Sequence, residues 1–143
     1  MHRRSEYRAI AKAALSAHAD LASFTVMSAW ARDIDPKTLP VFGVATPGET
    51  KRLDSLDTSE RACTLMVVLK ILGGDDIEDR LDVLGDAAEA AILSAMAQQL
   101  GPERPCTLTD TEVVVDGGGT RRVGTLTMKF EVMAWLVEDL SAA

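Results

Sequence analysis

Residues 61–72, Arg-Ala-Cys-Thr-Leu-Met-Val-Val-Leu-Lys-Ile-Leu, are the most hydrophobic stretch of the chain. Alternation places Cys63, Leu65, Val67, Leu69 and Ile71 on one face of a strand, and Ala62, Thr64, Met66, Val68, Lys70 and Leu72 on the other. One face is wholly apolar and the other mostly so, the pattern of a central strand covered on one side and partly on the other. The second face, marked by Thr64 and Lys70, is expected to be less fully covered.

The remaining elements follow from their periods. Tyr7, Ile10, Ala11, Ala14 and His18 recur at helical spacing, so residues 4–18 read as a helix. Residues 24–30 read as a short strand, 31–39 as a polar loop, and 40–46 as a second strand with Pro40 at its first position. Residues 48–60 are polar and long for a hairpin connection, and are expected to form a mobile loop. A long helix is predicted over 75–100, with a buried stripe of Ile77, Leu81, Leu84, Ala88, Ala91, Ile92, Ala95 and Met96. Asp75, Asp76, Glu78 and Asp79 suit its positive N-terminal end, and Gly101-Pro102 stops it. Residues 106–116 and 121–137 read as the last two strands, joined by Gly117-Gly118-Gly119. In the last of them Leu126, Met128, Phe130 and Val132 face one way, and Thr125, Thr127, Lys129 and Glu131 the other. The result is a single α+β domain in the order α-β-β-β-α-β-β, with a mainly antiparallel sheet and two helices packed on one face.

Composition narrows the function. The 143 residues are 47% hydrophobic, 26% charged and only 4% aromatic, which implies one domain with an aliphatic core. A net charge of −7 disfavours a nucleic-acid binder. No apolar run approaches the roughly 20 residues that cross a bilayer, and no signal-peptide core follows the charged N-terminus, so a cytoplasmic protein is expected. Arg4, Arg8 and Lys12 recur at i, i+4, i+8, either as a solvated face or as a contact for an acidic neighbour such as another copy of this acidic chain. Cys63 and Cys106 allow a disulfide between neighbouring strands or two packed thiols.

Candidate chemistry is weak. Gly117-Gly118-Gly119-Thr120 lacks the Gly-Lys-Ser/Thr ending of a phosphate loop. The acidic run 75–82 lacks calcium-loop spacing and is explained by a helix start. Neither cysteine carries a cue for a catalytic histidine, and Asp110, Glu112, Asp116 and Glu131 are more simply exposed strand residues than an acid–base pair. No cofactor or metal is expected, and protruding loops on a rigid sheet favour an interaction protein over an enzyme.

Several stretches resemble one family. They are His2-Arg3-Arg4-Ser5-Glu6-Tyr7-Arg8, then Thr38-Leu39-Pro40-Val41-Phe42-Gly43-Val44 followed by Gly48-Glu49, then Arg61 with Leu65-Met66-Val67-Val68, the long helix, and a closing hairpin with Leu126-Thr127-Met128. Together they resemble the tail terminator proteins of phages with long non-contractile tails (the lambda-like minor tail protein U type) and of gene transfer agents. The likeness runs over residues 4–137, and the long alanine-rich second helix departs from it. It implies a virion protein of the tail and neck, assembled in the host cytoplasm. Such a protein forms a hexameric ring that caps the tail tube, stops its growth and offers the surface that joins the head. Its implied partners are further copies of itself, the tail tube protein and a head–tail connector, with DNA sliding through the lumen without specific binding. On this reading Glu49, Lys51, Arg52, Asp54 and Arg61 are candidate intersubunit or tube contacts, with Arg121 and Arg122 a second set. The face of residues 61–72 marked by Thr64 and Lys70 is then expected to lie nearer a neighbouring subunit, and a charge at Met66 or Val68 to weaken ring formation more than folding. The alternatives are another neck or head-closure protein, or a small α+β enzyme or adaptor.

Overall fold

In the computed structural model, which describes residues 2–27, 38–118 and 121–137, the alternation centred on residues 61–72 becomes the middle of a five-stranded sheet. The elements are α1 (Arg3–Ala17), β1 (Thr25–Val26), β2 (Val41–Leu53), β3 (Thr58–Gly73), α2 (Ile77–Leu100), β4 (Cys106–Gly118) and β5 (Arg121–Val137). The strand order is β1-β2-β3-β5-β4. All pairings are antiparallel except β1 with β2. The α+β class, the element order and the mainly antiparallel sheet are therefore those the sequence predicts. Of the expected strand at 24–30, β1 keeps two residues, and Trp30 with most of the polar loop falls outside the described residues.

The two faces of β3 separate as the alternation requires. Cys63, Leu65, Val67, Leu69 and Ile71 are buried. Across from them β5 supplies Val132, Phe130, Met128 and Leu126, all buried, while Gly124 stands opposite Ile71. One core cluster joins this face to Tyr7, Ile10, Ala11 and Leu15 of α1 and to Ile77, Leu81, Ala88, Ile92 and Met96 of α2. Both helices thus cover the same side of the sheet. Leu15 takes the place expected of His18, which caps the helix end and is half-buried.

Local chemistry sets the helix ends. His2 Nδ1 accepts the Arg4 backbone N–H at 3.1 Å to cap α1. At the far end of α2, Gly101 takes φ +75°, a value that favours glycine, and its N–H reaches the Ala97 carbonyl at 3.2 Å. Close helix–sheet contact depends on Gly124. A Cβ there would come within 2.8 Å of Leu81 Cδ1 and 2.9 Å of Ile77 Cδ1. The cysteines are free. Both flank Val132, one on each neighbouring strand, which puts two strand spacings, about 9–10 Å, between their backbones. That exceeds the reach of a disulfide.

The expected mobile loop at 48–60 is a correction. It is the distal half of a hairpin whose pairing runs on from Gly48↔Thr64 to Leu53↔Ser59. Only residues 54–57 turn. The Asp54 N–H donates to the Thr58 carbonyl at 3.0 Å, and Ser55 Oγ lies 2.9 Å from Asp57 Oδ1 and 2.6 Å from Thr58 Oγ1. A bulge at Thr46-Pro47 lets the pairing survive a proline on an outer strand. The arm holds few apolar residues because polar side chains line both of its faces, so the sequence shows no strand alternation there.

Candidate assembly surface: the arm and its tip

The arm consists of the ends of β2, β3 and β5, with Leu53 opposite Ser59, Glu60 opposite Trp135 and Thr58 opposite Val137. Four of the exposed large hydrophobic side chains lie at this one end, on both faces of the sheet: Leu53 (64% exposed) on the helix-bearing face, Leu56 (91%) in the turn, and Trp135 (49%) and Val137 (79%) on the helix-free face. Large apolar side chains left in water cost free energy, which makes this end a candidate interaction surface. Charge-seeking in the sequence missed it. The available signal was two isolated leucines in a polar run, and a Trp135-Leu136-Val137 ending that breaks the alternation of β5.

The predicted contact residues divide into two groups. Glu49 and Arg61 come together, but within the subunit. Glu49 lies between Arg3 Nη2 of α1 at 3.5 Å and Arg61 Nη1 of β3 at 3.8 Å, with its side chain 12% exposed. It clamps the start of α1 to the root of the arm. Arg52 pairs across the hairpin with Glu60 at 3.0 Å, on the exposed side. Lys51 is exposed on the helix-bearing face of β2, opposite Arg61. Asp54 begins the turn. The second set is far away. Arg122 lies at the other end of β5, opposite Gly73, where it meets Asp75 at 3.4 Å. Arg121 occupies the neighbouring register position, opposite Gly118. Between Thr58 and Gly73 the sheet extends about 50 Å, so the two sets form no common site.

The helix-free face also has two parts. Val68 is buried at 7% exposure, as is Val41 beside it, whereas Met66 is half-buried, with Ala45 and Lys129 across from it. The expectation for Met66 and Val68 therefore splits, with a surface role open only to Met66.

Elsewhere, several polar groups are tied to neighbouring elements. Burial pushes the Tyr7 hydroxyl up against a hydrogen bond from Arg104, which also meets Glu6 at 3.7 Å and so ties the start of β4 to α1. Burial likewise pushes the Cys106 thiol up to about 11, and the Cys63 thiol upward with help from the nearby Glu49 charge, so both thiols are protonated at neutral pH. A cavity of about 480 Å³ beside Phe24 and Leu84 is rimmed by Asp20, Asp76, Asp79 and Arg80. Arg80 Nη1 is committed to the Leu72 carbonyl at 3.0 Å. Among the described residues no group of His, Cys, Asp and Glu side chains is placed to hold a metal ion, and no helix is long and apolar enough to cross a membrane.

No protein-family model matches the chain, and no curated protein matches its sequence.

Proposed function

We propose that the protein is a structural ring subunit of the tail-terminator type, which caps a tail tube, ends its growth and presents the surface that joins the head. The observation that carries this reading is the arm. It is a three-stranded extension whose end exposes Leu53, Leu56, Trp135 and Val137 to water. A monomer gains nothing from that arrangement, whereas a subunit that inserts the tip between neighbours or into the last tube ring buries it. The work is geometric. Identical subunits joined head to tail close a ring when the rotation between them permits, and a closed ring offers one face to the tube and the other to the neck. Lys51, Arg52 and Asp54 surround the tip and set the register of the contact, while Glu49 and Arg61 hold the arm to the body. Arg121 and Arg122, at the opposite end of the sheet, suit the other face of the ring. An overall charge of −7 keeps a lumen from holding DNA in transit.

The test uses purified protein and polymerising tail tube protein. Tubes should stop growing and carry a ring of this protein at one end. Leu53→Asp with Leu56→Asp should fold normally and fail to cap. Tube growth unaffected by the intact protein would refute the reading.

A further inference from the structure

The two outer flanks of the molecule carry opposite charge. On α1, the Arg4, Arg8 and Lys12 row turns toward β2, because Arg8 donates hydrogen bonds to Thr46 Oγ1 of that strand and to Ser5 Oγ. The other side of α1 carries Glu6, which meets Arg104. On α2, Asp82, Asp86 and Glu89 line a groove of about 350 Å³ whose opposite wall includes Thr111 of β4, so this acidic row overhangs β4. None of the three carboxylates joins an ion pair among the described residues. β4 is the last strand of the sheet, and its Val113 and Val114 are exposed. At the opposite edge, β1 pairs only with Val41 and Phe42, so the rest of β2 has no outer partner among the described residues.

We propose that these flanks are the two halves of one contact between copies of this chain. The α1–β2 flank of one subunit docks on the α2–β4 flank of the next, with Arg4, Arg8 and Lys12 facing Asp82, Asp86 and Glu89. The proposal rests on the ring reading and names its subunit contact. The rows match in length, about 12 Å from Arg4 to Lys12 and about 10 Å from Asp82 to Glu89 at the helical rise. Each flank complements the other and not itself, so the contact is heterologous and propagates around a ring. Between copies that each carry −7, general repulsion opposes association, and a strip of opposite charge selects this one alignment. The exposed valines of β4 and the groove behind them supply the apolar area that the charges position.

The experiment is sedimentation and negative-stain imaging of the full chain and two charge-reversed variants, Arg4→Glu/Lys12→Glu and Asp82→Lys/Asp86→Lys. Arg8 is left in place because it holds β2. The intact protein should associate at low salt and dissociate toward about 1 M salt, where screening reaches about 3 Å. Each variant alone should show a dissociation constant raised about tenfold or more. Mixing the two should restore association, because one then offers two acidic flanks and the other two basic ones. If a reversed variant loses its circular-dichroism spectrum, Arg4→Gln/Lys12→Gln takes its place and should weaken association in the same direction. Variants that form rings as readily as the intact protein would overturn this contact and leave the ring standing. An intact protein that stays monomeric in solution and on tube ends would overturn both.

Discussion

Replacing Glu49 with glutamine tests whether this residue is a clamp within the subunit or a contact between subunits. Its carboxylate, 12% exposed, lies between Arg3 at 3.5 Å and Arg61 at 3.8 Å, and each arginine side chain is about a quarter exposed. Both distances exceed those of a short charge-assisted hydrogen bond, so the pairs are weaker than ideal ones. Removing the charge nevertheless leaves two guanidinium groups near each other in a partly desolvated place. The cost should be about 1–3 kcal/mol. In a domain of this size 1 kcal/mol moves Tm by about 3–5 °C, so Glu49→Gln should lower Tm by about 3–15 °C in differential scanning calorimetry. A double-mutant cycle with Arg61→Met should give a coupling of about 1 kcal/mol between the two residues. Below the lowered Tm the variant should assemble as the intact protein does. An unchanged Tm combined with lost assembly would refute the clamp and return Glu49 to the subunit interface.

Gly124→Ala would press a Cβ to within 3 Å of both Leu81 and Ile77, which are themselves buried, and should cost about 1–3 kcal/mol in a urea titration; unaltered stability would show that α2 can lift from the sheet freely. Met66→Glu, at a half-buried position opposite Lys129, should leave Tm within a few degrees and reduce ring yield, whereas Val68→Glu, at 7% exposure, should prevent folding; equal effects of the two would refute the division of that face. Cys106 has a folded pKa raised to about 11 against an ordinary value of 9.0, so its neutral thiol favours the folded state, and that contribution is whole below about pH 9 and disappears as pH rises toward 11. The intact protein should therefore lose more stability between pH 8 and pH 10.5 than Cys106→Ala does, and equal losses would contradict the assigned burial.

Where burial divides cleanly, the fold is legible from residues alone. The alternation of 61–72 and of 125–132 gives the two central strands with the correct faces inward, and the stripe from Ile77 to Met96 gives the long helix. The arm is hidden from the same reasoning. Its strands hold Thr50, Lys51 and Arg52 against Ala62, Arg61 and Glu60, and none of these residues belongs to the core cluster under the helices. Backbone pairing and a serine- and aspartate-rich turn hold it, and neither leaves a period in the sequence. The exposed tip escaped notice in a related way. Choosing by charge found Glu49 and Arg61, whose charges are spent on each other and on Arg3, while Leu53 and Leu56 looked too isolated to matter until pairing put them at the same end of the sheet as Trp135 and Val137. Val68 shows the converse limit, since alternation assigns its face but not the depth at which it is covered.

Negative-stain electron microscopy of tail tubes grown with and without this protein tests the central claim most directly. The account predicts tubes of arrested length, each with a ring of this protein at one end, and uncapped tubes of ordinary growth when the Leu53→Asp/Leu56→Asp variant replaces it. Bare tube ends in the presence of the folded, intact protein would contradict it.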